Sequence, residues 1–311
     1  MLYKLTISPY SSFSYPIQSD TLFGAFCWSY KYLYGTEKLE KFLEICITQK
    51  PPIIFSNMFF QNMLPIPLYA LNKIKNNDYG KDLEKYKKIK KINKNSVLPK
   101  QIFLQVLENN YENIVDNIKL PKLYTQTETH NMVSRDTNIV DNIDGSGSLY
   151  SIDTYYSKVN FDIYILCEDE ITKYMPVLEI MFELGIGGKK STGKGGFKII
   201  KEPTIEQELI KNFENANGFV SISNFIPDKI DPTNGYYSII SKFPKLDREF
   251  ANSETPFKKP LAMIEAGSCF YYSLKRDYCG VCLDNISSLY KKIMINGCGI
   301  AIPMCLDEDN N

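Results

Sequence analysis

Histidine and tryptophan are almost absent from this sequence of 311 residues, since each occurs only once, as His130 and Trp28. A single imidazole excludes metal sites built from several histidines, and any histidine-dependent catalysis must use residue 130. The sequence also has no stretch of about eighteen apolar residues that would span a membrane. Its N-terminus lacks the basic start and apolar core of a signal peptide. We therefore expect a cytoplasmic protein with no membrane partner.

Excess charge and closely spaced cysteines are lacking too. Lysine and arginine number 36, and aspartate and glutamate number 36, so the formal net charge is zero. This balance removes the simplest argument for a nucleic-acid binder, a strongly basic chain, but it leaves room for a local basic groove. The eight cysteines are spread too thinly for a disulfide scaffold, which predicts reduced thiols.

Apolar residues make up 44% of the chain, enough for a large core, and their spacing alternates between strand and helix periods. The first half predicts the order strand, two helices, strand, and the second half repeats the order strand, helix, strand. The predicted strands are 3–7, 53–60, 161–165, 197–200, 218–226, 236–240, 268–274 and 299–304. The predicted helices are 22–33, 37–48 and 171–182. This pattern indicates an α+β fold with two domains, 1–155 and 156–311.

A lysine-rich segment interrupts the first domain, and we assign it to an insertion at 73–110. Residues 73–100 contain ten lysines against three acids. Such a composition predicts an exposed, partly helical segment, which is either a solvated helix face or a nonspecific contact to a nucleic-acid strand. The Thr- and Tyr-rich stretch 121–160 then predicts extended hairpins around a polar loop.

A glycine-rich loop at 185–196 carries the functional argument. It holds six of the seventeen glycines, and residues 185–201 contain five lysines and no acid. Glycine permits positive φ and the close approach of a ligand, and the exposed N–H groups of such turns form anion-binding nests. The side chains that would add charge or donors are Lys189, Lys190, Ser191, Thr192 and Lys194. The loop predicts a phosphate cradle, with a flexible turn of solvated lysines as the alternative.

The loop is not a nucleotide-hydrolysing P-loop. Gly188, Gly193 and Lys194 nearly complete that motif, but Gly195 replaces the Ser or Thr that would hold Mg²⁺. The predicted order is also helix, loop, strand, the reverse of a P-loop. Because five clustered lysines exceed what one small phosphate needs, the backbone of a polyanion is the better ligand.

Four stretches of the sequence together resemble one family. They are 20–25 (DTLFGA), 129–135 (THNMVSR), 187–196 (GGKKSTGKGG) and 299–303 (GIAIP). The chain resembles the Cas5-like cap subunit of the type III-A CRISPR (Csm) effector complex, in the RAMP superfamily. The matches run from residue 20 to residue 303 and so cover nearly the whole chain.

The resemblance implies two tandem ferredoxin-like (RRM-like) domains and a non-catalytic role in binding the repeat-derived 5′ handle of a CRISPR RNA. It implies two protein partners, the large polymerase-like Csm subunit and the neighbouring backbone Csm subunit, and no cofactor or metal. The hairpin at 141–148 would lie along the guide RNA. The implied RNA contacts are Gly187, Gly188, Lys189, Lys190, Ser191, Thr192, Gly193, Lys194, Gly195, Ser19, Asp20, Thr21, Phe23, His130, Asn131 and Arg135.

Several alternatives stay open. His130 suits a structural imidazole, an RNA contact or the general base of a metal-independent RAMP endoribonuclease that matures CRISPR RNA. Cys279 and Cys282 have the spacing of half a zinc site, although buried free thiols fit this composition better. The residue types at 19–21 favour a plain helix cap, and a helix N-terminus with free N–H groups is also compatible with a phosphate. Trp28 and Phe26 are expected in the core, with base stacking as the less favoured alternative.

Overall fold

The computed structural model describes residues 1–78, 87, 89–90, 92, 96–111, 114–131, 149–211, 213–253 and 255–307, with the backbone alone at 76–78 and 252. The strands are β1 Leu2–Pro9, β2 Ile53–Phe55, β3 Phe59–Phe60, β4 Met63–Pro65, β5 Val97–Pro99, β6 Tyr124–Asn131, β7 Leu149–Tyr156, β8 Phe161–Cys167, β9 Phe197–Ile199, β10 Thr204–Ile205, β11 Gly218–Ser221, β12 Gly235–Tyr236, β13 Ile239–Lys242, β14 Leu261–Ile264, β15 Cys269–Tyr271, β16 Tyr278–Gly280 and β17 Cys298–Met304. The helices are α1 Ser19–Tyr34, α2 Thr36–Thr48, α3 Leu68–Asp78, α4 Lys100–Leu107, α5 Ile114–Asn117 and α6 Met175–Glu183. Short 3-10 helices occupy Ile171–Tyr174, Lys190–Thr192, Glu208–Ile210 and Arg248–Asn252.

The first sheet has the strand order β10-β1-β8-β2, with β9 paired to β1 and β3 paired to β8, and every pairing is antiparallel. Helix α1 follows β1, and α6 follows β8, so the chain runs β-α-β-β-α-β as in a ferredoxin-like fold. Phe26 of α1 packs on Phe55 of β2 and on Tyr174, with ring centres 5.6 and 5.8 Å apart. These contacts bury the apolar stripe of α1 and explain why the sequence there is helical.

The second sheet has the order β12-β15-β11-β17-β16. Four of its strands, β11, β12, β15 and β17, repeat the ferredoxin-like strand order, and β16 extends the edge beyond β17. Within the described residues from 213 to 307, however, no α-helix connects these strands. The strand orders of the two sheets nevertheless confirm the fold class expected from the sequence, an α+β fold of two tandem ferredoxin-like domains.

The domain division predicted from the sequence, 1–155 and 156–311, does not coincide with the sheets. Strand β8 pairs along its length with β1, from Leu2 opposite Leu166 to Ile7 opposite Phe161. The unit β8-α6-β9, which looked like the start of a second domain, therefore completes the first sheet. The break between the sheets lies between β10 and β11.

Strand β4, together with strand β5 and helix α4 of the insertion, lies beside one face of the first sheet, and α4 also contacts β17 of the second. Strands β4 and β5 pair with each other, and α4 follows β5 directly. Asp162 of β8 is fully buried there, and its carboxylate accepts hydrogen bonds from the Asn62 N–H at 2.8 Å and the Thr6 hydroxyl at 2.7 Å. Lys100 of α4 bonds both carboxylate oxygens of Glu206 at 2.8 Å. The sheet surface that single RRM-like modules use to stack bases is thus closed.

The exposure predicted for residues 73–100 does not hold at the C-terminal end of that stretch, where Val97 and Leu98 are buried. The rest of the insertion assigned to 73–110 has buried residues as well where α4 lies. Helix α4 buries Phe103, Val106 and Leu107 almost completely, because its apolar side chains fill the space over the sheet. Most of the lysine-rich residues between 79 and 95 lie outside the described residues.

The two sheets share one hydrophobic core. A single cluster of buried side chains includes Leu5 and Ile163 of the first sheet together with Val220 and Ile302 of the second. Backbone and side-chain hydrogen bonds join the sheets as well, since the Asn57 N–H donates to the Ile222 carbonyl at 3.0 Å. The halves therefore pack as one body around a common interior.

Candidate functional site

The glycine-rich loop follows α6 and leads into β9, and its backbone needs the glycines that the sequence supplies. Four glycines have left-handed φ angles of 77 to 89°, at positions 185, 187, 193 and 195. At Gly195 an added Cβ would lie 2.2 Å from the Ile186 carbonyl oxygen. The prediction that these glycines serve positive φ is confirmed. The close approach at Gly195 is to the backbone of Ile186, and the predicted approach of a ligand stays a prediction.

Part of the loop is anchored, and part is open. The N–H of Gly195 donates to the Ser12 carbonyl at 2.7 Å, and that of Gly196 donates to the Ser11 hydroxyl at 2.8 Å. The consecutive N–H groups of Gly187, Gly188 and Lys189, in contrast, donate to no atom of the described residues. We call residues 187–189 the open turn. Successive free N–H groups of this kind form a concave anion-binding nest.

The three lysines predicted to supply charge to this loop differ in their partners. Lys194 is 8% exposed, and its Nζ lies 2.5 Å from Glu128 Oε1. Lys190 forms an ion pair with Asp247. Lys189 is exposed, and among the described residues no carboxylate pairs with it. Lys190 and Lys194 are thus paired with acids of this chain, and Lys189 is the one of the three whose charge remains available among the described residues.

Strands β6 and β7 form a hairpin that lies against the loop. The Lys189 Nζ is 5.1 Å from the centre of the Tyr150 ring on β7, a cation–π distance. The His130 ring on β6 stacks on Tyr150 with centres 5.6 Å apart. The structure thus brings His130 and the glycine-rich loop together, as the sequence analysis expected. Asn131 ends β6 and is exposed.

Glu128 organises the hairpin side of the site. Its Oε1 accepts hydrogen bonds from Lys194 and from the Thr154 hydroxyl, the latter at 3.3 Å. Its Oε2 lies 3.4 Å from His130 Nε2, an atom that is buried and makes no hydrogen bond. The hydrogen bond from Lys194 holds the pKa of Glu128 below its ordinary value, and burial opposes it. The carboxylate is therefore ionised and neutralises the lysine beneath the loop.

The predicted contacts on α1 are engaged within the protein. Ser19 donates through its hydroxyl to the Asn224 carbonyl at 3.0 Å, and Asp20 pairs with Lys242. Phe23 is 3% exposed and stacks on Phe42. Thr21 is half-buried in the first turn of the helix. These partners remove the physical reason for assigning the helix start to RNA.

The helix cap predicted from Ser19–Thr21 is also wrong. The N-cap position is Gln18, and no side chain caps the helix there. The Ser19 N–H instead donates to the side-chain oxygen of Asn57 at 3.0 Å. Hydroxyl and carboxylate groups that usually cap a helix are thus used to join α1 to the second half of the chain, at Asn224 and at Lys242 of β13.

Two predictions fall on segments that cannot be assessed. Arg135 and the hairpin tip at 141–148 lie outside the described residues.

Glu128, Tyr150 and Asp247 are site residues that the sequence analysis missed. Glu128 and Lys194 lie 66 positions apart, and Lys190 and Asp247 lie 57 apart. No local pattern marks such pairs. The one usable signal was a lysine-rich loop in a chain with no net charge, which implies balancing acids elsewhere in the sequence but gives no positions for them.

The cysteines form no metal site within the described residues, where no group of three or more metal-ligating side chains occurs. Cys279 and Cys282 are both buried, and the pKa of the Cys279 thiol is raised by burial. None of the described helices has the length and apolar character to cross a bilayer.

Comparison with known proteins gives one family and several similar folds. The model of the RAMP superfamily matches residues 7–198, which span the first ferredoxin-like unit as far as β9. A chain from the crystal structure of the Csm3–Csm4 subcomplex of the type III-A CRISPR-Cas interference complex is similar with a TM-score of 0.66 and 18% identity, over 98% of this chain and 100% of that one. A chain from the crystal structure of the Csm1–Csm4 cassette in complex with pppApA has a TM-score of 0.60 and 16% identity, over 99% and 100%. No curated protein matches the chain by sequence.

Proposed function

Since the chain belongs to the RAMP superfamily, we propose that it is a non-catalytic CRISPR RNA-binding subunit of a type III-A (Csm) effector complex. In this role it caps the 5′ handle of the guide RNA and serves antiviral defence. The observation that carries the proposal is the open turn at 187–189. Three free N–H groups and an exposed lysine suit the phosphates of a nucleic-acid strand, and they do so without reading bases.

The hairpin formed by β6 and β7 extends this surface. Tyr150 presents a partly exposed ring beside Lys189, and ring faces stack on bases of any sequence. Because the face of the first sheet is closed by the insertion, the RNA would run along this rim rather than across the strands.

The proposed protein partners are a large polymerase-like Csm subunit and a backbone Csm subunit, which this chain would bridge. The solved structures with a similar fold come from Csm1–Csm4 and Csm3–Csm4 assemblies, and they cover nearly all of this chain. That likeness over both sheets supports an assignment to the same position in a complex.

The absence of catalysis is part of the proposal. Cleavage of RNA without metal needs a general base close to the 2′-hydroxyl and usually a second group that protonates the leaving oxygen. His130 is the one histidine in the sequence, its Nε2 is buried, and its ring is stacked on Tyr150. Incubation of the pure protein with repeat RNA in EDTA should give no cleavage. Site-specific products lost in His130→Ala would instead establish a maturation endoribonuclease.

The direct test is to purify the tagged chain from its native cells and sequence the RNA that accompanies it. We expect RNAs that begin with repeat-derived sequence, above the level recovered from cells with the tag alone. RNA with no repeat sequence would contradict the proposal.

The open turn can be tested separately through the salt dependence of binding. Each phosphate contact to a single strand contributes about −0.7 to the slope of log affinity against log salt concentration. Lys189→Ala should flatten the slope by about that amount. Lys41→Ala, which removes an exposed lysine of α2, is the matched control and should leave the slope unchanged. Equal slopes for both variants would remove the open turn from the RNA site.

A further inference from the structure

A cationic and aromatic cluster lies on the far side of the glycine-rich loop from the hairpin. Trp28 and Tyr32 sit one turn apart on the outer side of α1, with ring centres 6.4 Å apart. The guanidinium carbon of Arg248 lies 5.8 Å from the Trp28 ring centre and 5.1 Å from that of Tyr32. Phe250 packs on Trp28 at 5.9 Å. We call these four residues the Arg248 platform. Trp28, expected in the core, is therefore half-exposed, because α1 turns this side outward.

Arg248 is held in an unusual backbone conformation. Its φ is +51°, a region that residues with a side chain rarely adopt. The Asp247 side chain accepts the Arg248 N–H at 2.9 Å and so supports this geometry. Residues held in such conformations concentrate at functional sites.

The guanidinium of Arg248 has no polar partner among the residues that the structure describes. Its Nε is buried and makes no hydrogen bond, and no carboxylate forms an ion pair with it. The neighbouring acid on the chain, Glu249, is used by Lys31 at 2.6 Å. A cation whose N–H donors are unpaired, next to an exposed ring, favours the binding of an anion, because leaving such donors buried and unpaired is costly.

The platform is continuous with the glycine-rich loop. Asp247 bonds the backbone of Arg248 and also forms the ion pair with Lys190. One carboxylate thus fixes both the loop and the arginine. A strand bound at the open turn would meet the platform next along this rim.

We propose that the Arg248 platform binds one nucleotide of the guide RNA, a step that rests on the proposed function. The guanidinium pairs with a phosphate through two parallel N–H donors, a geometry that arginine favours. The Tyr32 ring, 54% exposed, stacks on the base. A carboxylate of a partner protein would also pair with the guanidinium. It would use neither the exposed Tyr32 ring nor the connection of the platform to the glycine-rich loop.

The test compares Arg248→Gln and Tyr32→Leu with the wild type in binding to a single-stranded guide RNA that carries the repeat-derived handle. Arg248→Gln should weaken binding roughly tenfold, as expected for a hydrogen-bonded charge, and flatten the salt slope by about 0.7. Tyr32→Leu should weaken binding without changing the slope. Lys38→Gln is the matched control, because Lys38 also lies over a tyrosine ring, that of Tyr34 at 5.5 Å, but on the neighbouring helix. It should bind as the wild type does.

Crosslinking keeps the test independent of variant folding. Irradiation of the wild-type protein with the same RNA carrying 5-iodouridine should attach a nucleotide to the peptide that contains Trp28 and Tyr32. No adduct there, while the hairpin peptide with Tyr150 is labelled, would overturn the inference.

The outcomes separate this inference from the proposed function. Normal binding by Arg248→Gln together with weakened binding by Lys189→Ala would overturn the platform and leave the proposed function standing. Wild-type protein that binds no guide RNA would end both. Normal RNA binding by Arg248→Gln with loss of capture by the large subunit would identify the platform as a protein interface and would likewise overturn the inference.

Discussion

Glu128 shows at the scale of a single residue how the candidate site balances its charge. One carboxylate oxygen accepts from Lys194 beneath the glycine-rich loop, and the other lies 3.4 Å from Nε2 of His130, whose ring stacks on Tyr150 of the hairpin. Glu128 therefore acts as a positioning group that fixes the loop against the hairpin. Neither the neutralisation of Lys194 nor the positioning of the loop could be predicted from the sequence, because the partners come from distant segments and ionic contacts leave no periodic pattern.

This role predicts a pH-dependent effect of Glu128→Gln on stability. Lys194 lowers the pKa of Glu128 in the folded protein, so the stabilisation is complete above the unfolded pKa and is lost as the pH falls through the folded one. The variant should be less stable than the wild type near pH 7 and nearly equal to it only once the pH has fallen below the lowered pKa of Glu128 in the folded protein. The measurement is the free energy of unfolding in urea at several pH values.

Glu44→Gln, an exposed change on α2, is the control for that experiment, and its small effect should not follow pH. A deficit of Glu128→Gln that persists unchanged in acid would show that the amide fails for steric reasons and not for lack of charge.

At the scale of elements, the glycine-rich loop keeps its shape through conformations open only to glycine. Gly195 has a φ of +79° and no room for a Cβ, whereas Gly193 has a φ of +77° and open space around it. Gly24, within α1, has open space and no left-handed φ. The three positions separate backbone strain from steric collision.

Alanine substitutions at these three positions should therefore change the free energy of unfolding by different amounts, and one of them in the opposite direction. Gly193→Ala should destabilise by about 1 kcal/mol through φ alone, and Gly195→Ala by more, since the Ile186 backbone must also move. Gly24→Ala should stabilise by roughly 0.5–1 kcal/mol. Thermal unfolding followed by circular dichroism gives the order, and equal losses at 193 and 195 would contradict it.

Most individual elements could be predicted from the sequence, but their grouping could not. The periods of β1, α1, α2, β8 and α6 are clear because each buries one apolar side. Strand β8 was assigned to a second domain because its partner β1 lies some 150 residues away, and periodicity carries no information on pairing. The glycine-rich loop could be found because its composition is a local feature of the sequence. The acids that pair with its lysines could not be found, because they lie in distant segments.

At the scale of the molecule, one core joins both sheets. Buried side chains of the first and second sheets belong to the same cluster, and Ser223 of the second donates to the Phe55 carbonyl of the first at 2.9 Å. The second sheet has no α-helix among its described residues, so its inner side depends on the first for cover. Separating the two halves would expose apolar side chains of both sheets to water.

We therefore expect a single cooperative unfolding transition for the whole chain. Calorimetry should give equal calorimetric and van't Hoff enthalpies. Two resolved transitions, or a stable fragment 218–311, would contradict a common core.

The sealed face of the first sheet limits how this protein can be re-engineered. Substitutions on β8 meet Asp162 and its buried partners, so they would cost stability and alter no contact to a ligand. Directed evolution for a changed nucleotide preference should accordingly return changes in 28–32, 124–131, 149–156, 185–196 and 247–250. The strands of the first sheet would stay unchanged, and a new nucleotide preference would arise only from residues at the rim of that sheet.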